Sequence, residues 1–200
     1  MKHLAETGRS ALSSKYFSSR LTREMLTRYS RSQYARPQVG PMIVATEFLI
    51  RLERDIIPNM NRYEYIVFDR YIYTAFTRDV MRGLRPELLR SLYADAPAPD
   101  LVIYLDGTSE LALSRRQRNL SFFESGYDIY GGPENAPRNF VLFENGCISQ
   151  AELSASFLWF QNGVLNQYRS LREYPEFLII DSSAPVSELS NTICSRIDSL

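Results

Sequence analysis

The sequence predicts an α/β protein with a parallel sheet and helices on both faces of that sheet. Three short runs of β-branched, aliphatic and aromatic residues, at 65–69, 101–106 and 177–181, carry this prediction. Each run ends in an acid, and its continuous apolar character is typical of a strand buried on both faces in a parallel sheet. Helix-spaced apolar residues separate the runs, and this alternation favours parallel pairing. Antiparallel pairing of any two of the three runs would contradict this fold.

Composition and charge restrict the class of protein. The 200 residues suit one domain, and a hydrophobic content of 44% is enough for a core. The 23 basic and 23 acidic residues balance, so no global field attracts nucleic acid or a membrane. No apolar run approaches the ~18–20 residues of a membrane helix, and no signal peptide is visible. We therefore expect a cytoplasmic protein that does not bind a membrane.

Few residues in this chain suit a disulfide framework, a zinc site or histidine chemistry. Cys147 and Cys194 are too few for a disulfide framework, and their spacing matches no zinc motif. The single histidine, His3, lies near the terminus. This scarcity argues against histidine-based catalytic triads and histidine-rich metal sites.

The first forty residues are basic. They contain only two acids, Glu6 and Glu24, against eight basic residues: Lys2, Arg9, Lys15, Arg20, Arg23, Arg28, Arg31 and Arg36. Such a segment could bind a polyanion, or it could be the solvated face of a helix. Apolar residues recur at loosely helical intervals over 10–35, and the prolines and glycine of 37–41 predict a break in the chain.

Later segments show helix signals and one loop signal. Apolar residues recur every three or four positions over 42–56 and predict an amphipathic helix closed by Pro58. Pro86 is placed to begin a helix, and Thr108 to cap another. Further helices are predicted over 72–82, 157–171 and 186–197. The glycines and prolines of 125–150 predict a long irregular loop, of the kind that forms lids.

Charged residues follow the run at 65–69 and end a helix near residue 115. Asp69 and Arg70 would lie at the carboxyl end of a strand, where ligands gather in open α/β sheets. The acid could hold a cation's water, and the guanidinium could grip a phosphate with two hydrogen bonds. The alternative is a structural ion pair at a strand end. Arg115, Arg116 and Arg118 form a second cationic cluster, which could instead be a solvated helix end.

With these segments placed, the chain resembles the thymidylate kinase family of nucleoside monophosphate kinases, within the P-loop kinase superfamily. The signature Asp69-Arg70-Tyr71 is the family's Asp-Arg-Tyr. Segments 98–106 and 111–115 are similar to its fourth strand and the helix that leads to its lid. The order of the motifs carries the resemblance over nearly the whole chain, with further matches at 6–12, 123–126 and 180–184.

The resemblance implies ATP-dependent phosphorylation of a nucleoside monophosphate, dTMP or a related compound, with Mg²⁺. Positioning and cationic groups dominate such phosphoryl transfer. The catalytic residues it implies are Asp69, Arg70, Arg115 and Arg116, with Asp69 also at the metal. The implied acceptor-side residues are Glu6, Arg9, Phe48, Tyr71, Thr74 and Arg78. Those implied on the ATP side are Arg118, Ser183 and Ala184.

The chain also departs from the family's pattern. No Gly-x-x-x-x-Gly-Lys-Ser/Thr motif, which supplies the phosphate-binding loop, occurs in the sequence. We expect the chain to begin at the family's second strand and to lack the first, which lies between the strands at 65–69 and 101–106. Either those strands close up, or another segment fills the slot, or the chain is a truncated gene product. Ala5 and Phe48 stand where family members carry a phosphate-contacting and a base-reading arginine.

We therefore expect one domain over 1–200, with a lid-like insert at about 119–156. Three functions remain open. The first is a thymidylate kinase-like phosphotransferase, inactive as this chain alone because the phosphate-binding loop is absent. The second is a non-catalytic pseudokinase or nucleotide-binding interaction module. The third is a nucleic-acid binder acting through the basic first forty residues, although nucleic acid is not the expected partner. The resemblance leaves a homodimer open.

Overall fold

Four short strands form two parallel pairs. The structure, a computed structural model, describes residues 1–116, 120–130, 136–171 and 176–200. Its strands are β1 (Ala11–Lys15), β2 (Tyr65–Asp69), β3 (Val102–Asp106) and β4 (Phe177–Asp181). β1 pairs with β2 and β3 with β4, each in parallel and in register over five residues. The α/β class and the parallel pairing are therefore confirmed.

The prediction of one sheet buried on both faces is wrong in two respects. Within the described ranges, β2 and β3 lie in separate two-stranded sheets, so the strands at 65–69 and 101–106 do not close up into a pair. Several strand side chains also remain accessible, among them Ile103 (38% exposed), Leu105 (50%) and Ile179 (39%). Apolar runs reveal strands, but they do not reveal which strand edges meet.

β1 replaces part of the helix expected over 10–35. Its sequence, with Ser13, Ser14 and Lys15, has no apolar run that marks it as a strand. The backbone hydrogen bonds to β2 extend past both ends of β1: the amide of Tyr65 donates to the carbonyl of Ser10, and that of Tyr16 to the carbonyl of Asp69. Pairing with a strong strand fifty residues away outweighs the local preference here.

The first half of the chain is otherwise helical. Its helices and helical turns are α1 (Lys2–Glu6), α2 (Arg20–Ser30), α3 (Val39–Arg51), a π-helical turn (Leu52–Ile56), a 3₁₀ turn (Ile57–Asn59), a second π-helical turn (Ala75–Asp79) and α4 (Pro86–Leu92). α3 begins three residues earlier than predicted, because Pro41 sits in its first turn, where no intrahelical N–H is needed. α4 begins at Pro86 as predicted.

The second half contains α5 (Ser109–Arg116), α6 (Ala136–Glu144), α7 (Gln150–Arg169) and α8 (Val186–Asp198). Thr108 caps α5 as predicted, since its Oγ1 accepts from the amide of Leu111 at 3.1 Å. α6 corrects the expectation of an irregular loop over 125–150. Its Phe140 is buried against the ring of Phe122, with centroids 4.9 Å apart, so tertiary packing orders this segment. Among the described residues, every helix is too short or too polar to cross a bilayer.

Two groups of packed rings surround the region where the site lies. Phe48, 1% exposed, lies in the first group with Tyr16, Phe68 and Tyr71 at centroid distances of 5.2 to 6.1 Å. The second group lies between the turns of 120–130 and α7, and includes Phe122 and Phe157. α7 packs against α5 and against the turn Ala75–Asp79, so it holds elements from both halves of the chain around one cleft.

Candidate anion-binding site

A cleft of about 370 Å³ opens where the carboxyl ends of β2 and β3 meet α5 and α7. One side is apolar and includes Tyr104 and Tyr168, whose rings stack with centroids 4.8 Å apart. The other side is cationic: of the charged residues in the described part of its lining, one is an acid, Glu124, and four are arginines, namely Arg70, Arg78, Arg115 and Arg116. Such a cleft suits a ligand that carries both negative charge and an apolar part.

Arg70 occupies the strand end that the sequence singled out. Its backbone is left-handed, with φ of 67°, a conformation that costs a residue with a Cβ free energy and that clusters at functional sites. Its side chain lines the cleft and lies 3.8 Å from the Glu124 carboxylate. Arg70 therefore does not form the strand-end ion pair with Asp69 that was the alternative, since Asp69 lies 3.9 Å from Lys15.

Arg78 reaches the cleft from the π-helical turn Ala75–Asp79. Its Nη2 donates to the carbonyls of Phe123 and Glu124, both at 3.4 Å, and its guanidinium lies 4.8 Å from the centre of the Phe160 ring. Burial, with repulsion from the neighbouring arginines 82 and 70, lowers the pKa of Arg78 to about 9. The group stays charged at neutral pH, and an anion nearby would relieve the repulsion.

The two arginines at the end of α5 have different partners. Arg115 donates to the carbonyl of Ser182, after β4, at 2.6 Å. Arg116 donates to the Glu124 carboxylate at 2.7 Å. The first contact ties the end of α5 to the loop after β4, and the second ties it to the turn segment 120–130. Both residues were predicted from sequence, and both line the cleft with Thr74.

Three other predicted residues lie elsewhere. Asp69 has an exposed side chain and is absent from the cleft lining. Tyr71 packs edge-on against Phe48, and its hydroxyl donates to the carbonyl of Pro97 at 2.8 Å. Phe48 is fully enclosed, and this argues against its contacting a substrate. The acceptor pocket expected between Arg70 and helix 42–56 is thus filled by aromatic rings, and the open cleft lies toward α5 and α7.

Glu6 and Arg9 lie at the opposite end of the β1–β2 sheet from Arg70. Arg9 precedes β1 and donates to the Tyr65 hydroxyl at 2.6 Å, and exposed Glu6 lies 3.7 Å from Lys2. A five-residue strand spans roughly 16 Å, so these two side chains do not converge with Arg70. That a residue lies near a strand in the sequence does not show at which end of the sheet it will lie.

The residues predicted for the ATP side are only partly described. Ser183 lies in an exposed turn after β4, where its backbone N–H and its hydroxyl donate to Asp181, each at 2.8 Å. Ala184 follows in the same turn, and its amide donates to the carbonyl of Asp181. Ser182, which directly precedes Ser183, lines the cleft. Arg118 lies outside the described residues.

The residues present fit a phosphate better than a metal ion. Guanidinium groups bind phosphate oxygens through paired, charge-assisted hydrogen bonds. Asp69 offers one carboxylate, and Lys15 beside it disfavours a second cation. Within the described ranges, no group of three or more potential protein ligands forms a metal site.

Four residues that shape the cleft could not be assigned from the sequence. Glu124 was noticed only as part of the 123–126 resemblance, and its pairing with two arginines carried no sequence signal. Gln161 donates to the Glu124 carbonyl at 3.3 Å from the middle of α7. Arg82 and Asp128 form a buried ion pair at 2.6 Å that anchors the turn segment, and this pair spans 46 residues. Contacts of such separation leave no local pattern.

Four of the eight basic residues in the N-terminal segment have acidic partners in the structure. Arg20 pairs with Glu24 at 3.0 Å, and Arg31 donates to both oxygens of Glu144 at 2.7 and 2.8 Å. Lys2 and Lys15 also have acidic partners. Arginines occupied in this way are poor candidates for a continuous phosphate-binding track. The segment therefore favours a structural role over nucleic-acid binding.

No family model matches the chain, whereas comparison with individual proteins finds several relatives. A probable thymidylate kinase 2 of Saccharolobus solfataricus is 30% identical over 152 residues, which are 74% of this chain and 63% of that protein. A probable thymidylate kinase of Methanococcus vannielii is 35% identical over 69 residues, 34% of this chain and 35% of that protein. A thymidylate kinase of Leptospira interrogans is 32% identical over 69 residues, 34% of each chain.

This chain is homologous to proteins of the thymidylate kinase family. The match spans less than two thirds of the Saccharolobus protein and about a third of the other two. This homology agrees with the position of Arg70, which follows β2 and faces a cationic cleft.

Proposed function

We propose that this chain belongs to a lineage of ATP-dependent phosphotransferases that act on a nucleoside monophosphate, and that its cleft holds the phosphate groups. The observation that carries the proposal is the convergence of Arg70, Arg78, Arg115 and Arg116 on one cleft with one acid. Phosphoryl transfer depends on holding charged oxygens in place, and arginines do this in the absence of covalent chemistry. The names of the relatives make dTMP or a related monophosphate the first acceptor to test.

The remaining features of the proposal follow from the family. ATP and Mg²⁺ would be the co-substrate and the metal, and Asp69 would help to hold the metal. The phosphate-binding loop is absent from these 200 residues, so we propose that the chain alone does not transfer phosphate. The two open sheets are compatible with a P-loop kinase-like fold in which a further strand would lie between β2 and β3. We also propose that the chain forms a single domain with a lid at about 119–156. Its proposed location is the cytoplasm. Whether it forms a homodimer is a further point to test.

A non-catalytic role is the second candidate. The missing glycine-rich loop favours it, because that loop supplies the backbone N–H groups that hold ATP. A pseudokinase or nucleotide-binding module would keep the arginine cleft and bind a monophosphate without turnover. Both candidates require the cleft to bind phosphate, so binding is the property to measure first.

The test is calorimetric titration of dTMP, dUMP and the other monophosphates into the 200-residue chain. We expect binding that Arg70→Gly reduces at least about tenfold, since a hydrogen-bonded charge contributes ~1.5–3 kcal/mol. Glycine is the informative replacement because it adopts φ of 67° without strain, so a loss of affinity reports the guanidinium. Phe48 cannot donate to a base, and no preference for thymine is expected.

The control for this titration is Arg90→Ala, which removes an exposed arginine that pairs only with Glu87 at 3.1 Å, outside the cleft lining. Its monophosphate affinity should equal that of the unmodified chain. Equal affinity in Arg70→Gly, or no binding of any monophosphate, would contradict the proposed function.

A further inference from the structure

Glu124 places a carboxylate between two arginines of the cleft. Its Oε2 accepts from Arg116 at 2.7 Å and from the Ser121 hydroxyl at 3.3 Å. Its Oε1 lies 3.8 Å from Nη2 of Arg70. Among the described residues that line the cleft, Glu124 is the one acid. The carboxylate therefore occupies positions beside Arg70 and Arg116 that a phosphate oxygen would also seek.

The backbone that carries Glu124 is held firmly. The Glu124 carbonyl accepts from Arg78 and Gln161, and the adjoining Phe123 carbonyl accepts from Arg82 at 2.7 Å. The amide of Glu124 donates to Ser121 Oγ at 3.2 Å. These hydrogen bonds fix the position of the Glu124 Cα. The side-chain torsions of Glu124 therefore decide whether its carboxylate faces the arginines.

The contacts to the two arginines differ in strength. The contact with Arg116 is a short, charge-assisted hydrogen bond, whereas the contact with Arg70 is an ion pair without hydrogen-bond geometry. A phosphate has up to two negative charges and three acceptor oxygens, and a carboxylate has one charge and two oxygens. A phosphate can therefore take Arg70 from Glu124 more readily than a monovalent anion can.

We propose that Glu124 is an internal competitor for the anion site, which lowers the affinity of the cleft for anions. This inference deepens the proposed function and rests on it. Four arginines without a counter-ion would repel one another strongly. Glu124 offsets that repulsion before ligand binds, and an entering anion must displace its carboxylate from Arg70. Glu124 is thus an affinity-determining residue of the cleft.

The test is Glu124→Gln, which keeps the shape and an acceptor for Ser121 but removes the charge. We expect the affinity for inorganic phosphate, measured by calorimetry at low salt, to rise about tenfold, as expected for the loss of one competing charged hydrogen bond. The affinity for acetate should rise by no more than the same factor, because a carboxylate repels an anion of one charge less than it repels phosphate. Glu124→Asp, whose shorter side chain draws the carboxylate back from Arg70, should give a smaller rise, and it serves if the glutamine variant is unstable.

The matched control is Glu144→Gln. Glu144 is also a carboxylate paired with an arginine, but its partner Arg31 is outside the cleft lining. This variant changes net charge by the same amount and should leave phosphate affinity unchanged. An equal gain in Glu144→Gln would show that net charge alone is responsible and would overturn the inference.

The remaining outcomes separate this inference from the proposed function. Phosphate binding that Arg70→Gly removes, with no gain or a loss in Glu124→Gln, would overturn the competitor role and leave the proposed function standing. An absence of phosphate binding in the unmodified chain and in both Glu124 variants would overturn both proposals.

Discussion

Asp79 is a buried acid in the same helical turn as Arg78. Burial raises the pKa of Asp79 to about 6, from an ordinary value of 3.8, although attraction to Arg82 and Arg78 lowers it in part. The folded protein therefore holds this proton more tightly than the unfolded chain does. Between about pH 4 and pH 6 the folded state binds more protons at this site, so the site's contribution to stability falls as pH rises through that window.

Replacing Asp79 by Asn should abolish this pH dependence. We expect Asp79→Asn to be more stable, relative to the unmodified chain, at pH 7.5 than at pH 4. The free energy of unfolding of the variant minus that of the unmodified chain should therefore be larger at pH 7.5. The measurement is urea unfolding of both proteins across this range. Asp181→Asn is the control of opposite sign, because hydrogen bonds from Ser183 lower the pKa of Asp181, so its contribution is present at high pH and lost on acidification. A parallel pH profile for Asp79→Asn and the unmodified chain would contradict the assignment.

At the scale of elements, the turn segment 120–130 is held against α7. The Ser156 hydroxyl donates to the Ser125 carbonyl at 2.9 Å, and Gly126 lies directly against Phe160, which is 0% exposed. A Cβ built on Gly126 would come within 2.4 to 2.7 Å of three Phe160 atoms. The segment carries Glu124 and the carbonyls that bind Arg78, so its docking on α7 sets part of the cleft.

Gly126→Ala should therefore destabilise the protein strongly. Overpacking costs ~1–3 kcal/mol and a left-handed residue with a Cβ a further ~1–2, so we expect a loss of about 3 kcal/mol. Gly146→Ala is the matched control: its φ of 66° is nearly that of Gly126, at 69°, but nothing lies within 4 Å of its Cβ. This variant should lose only about 1 kcal/mol, for backbone strain alone. Denaturant unfolding measures both, and equal losses would show that the contact with Phe160 is unimportant.

At the scale of the whole molecule, the cleft joins two sheets that share no hydrogen-bonded strand in the described ranges. Arg70 follows β2, whereas Thr108 and Arg115 follow β3, and the helix α7 holds these parts together. Apolar side chains on the second sheet remain exposed, including Leu105 at 50%. The arrangement gives the chain a cationic cleft, and these 200 residues contain no glycine-rich loop of the kind that holds ATP in line with an acceptor.

We expect no monophosphate-dependent release of ADP from ATP by the 200-residue chain, measured by a coupled assay with dTMP, dUMP and the other monophosphates. Removing one preorganised hydrogen-bond donor alone can lower the rate by ~10²–10³, and here the sequence lacks the whole phosphate-binding loop. A chain extended upstream is the comparison. Turnover only in that longer chain would identify a truncated kinase. No turnover in either chain would favour the non-catalytic candidate. Turnover by the 200-residue chain, abolished in Arg70→Gly, would show that the prediction is wrong.

Local chemistry was enough to predict several elements and part of the cleft. The strands at 65–69, 101–106 and 177–181 were predicted within one residue of β2, β3 and β4, because long apolar runs need no distant partner to be recognised. Pro86 and Thr108 act within one helical turn, and they begin and cap helices as predicted. The predicted cleft residue Arg70 directly follows β2, and Arg115 lies in the last turn of α5, so their positions could be inferred from the sequence.

Tertiary contacts decided the rest. β1 forms because residues 11–15 meet β2, and α6 orders where Phe140 packs on Phe122. Phe48 was expected at a ligand but is enclosed by four aromatic rings, which come from positions 16, 68, 71 and 93. Glu124 faces the cleft because Arg78, Arg82 and Gln161 fix its backbone from distant positions. Each of these outcomes depends on groups far apart in sequence, whose free energy of contact exists only after the chain has folded.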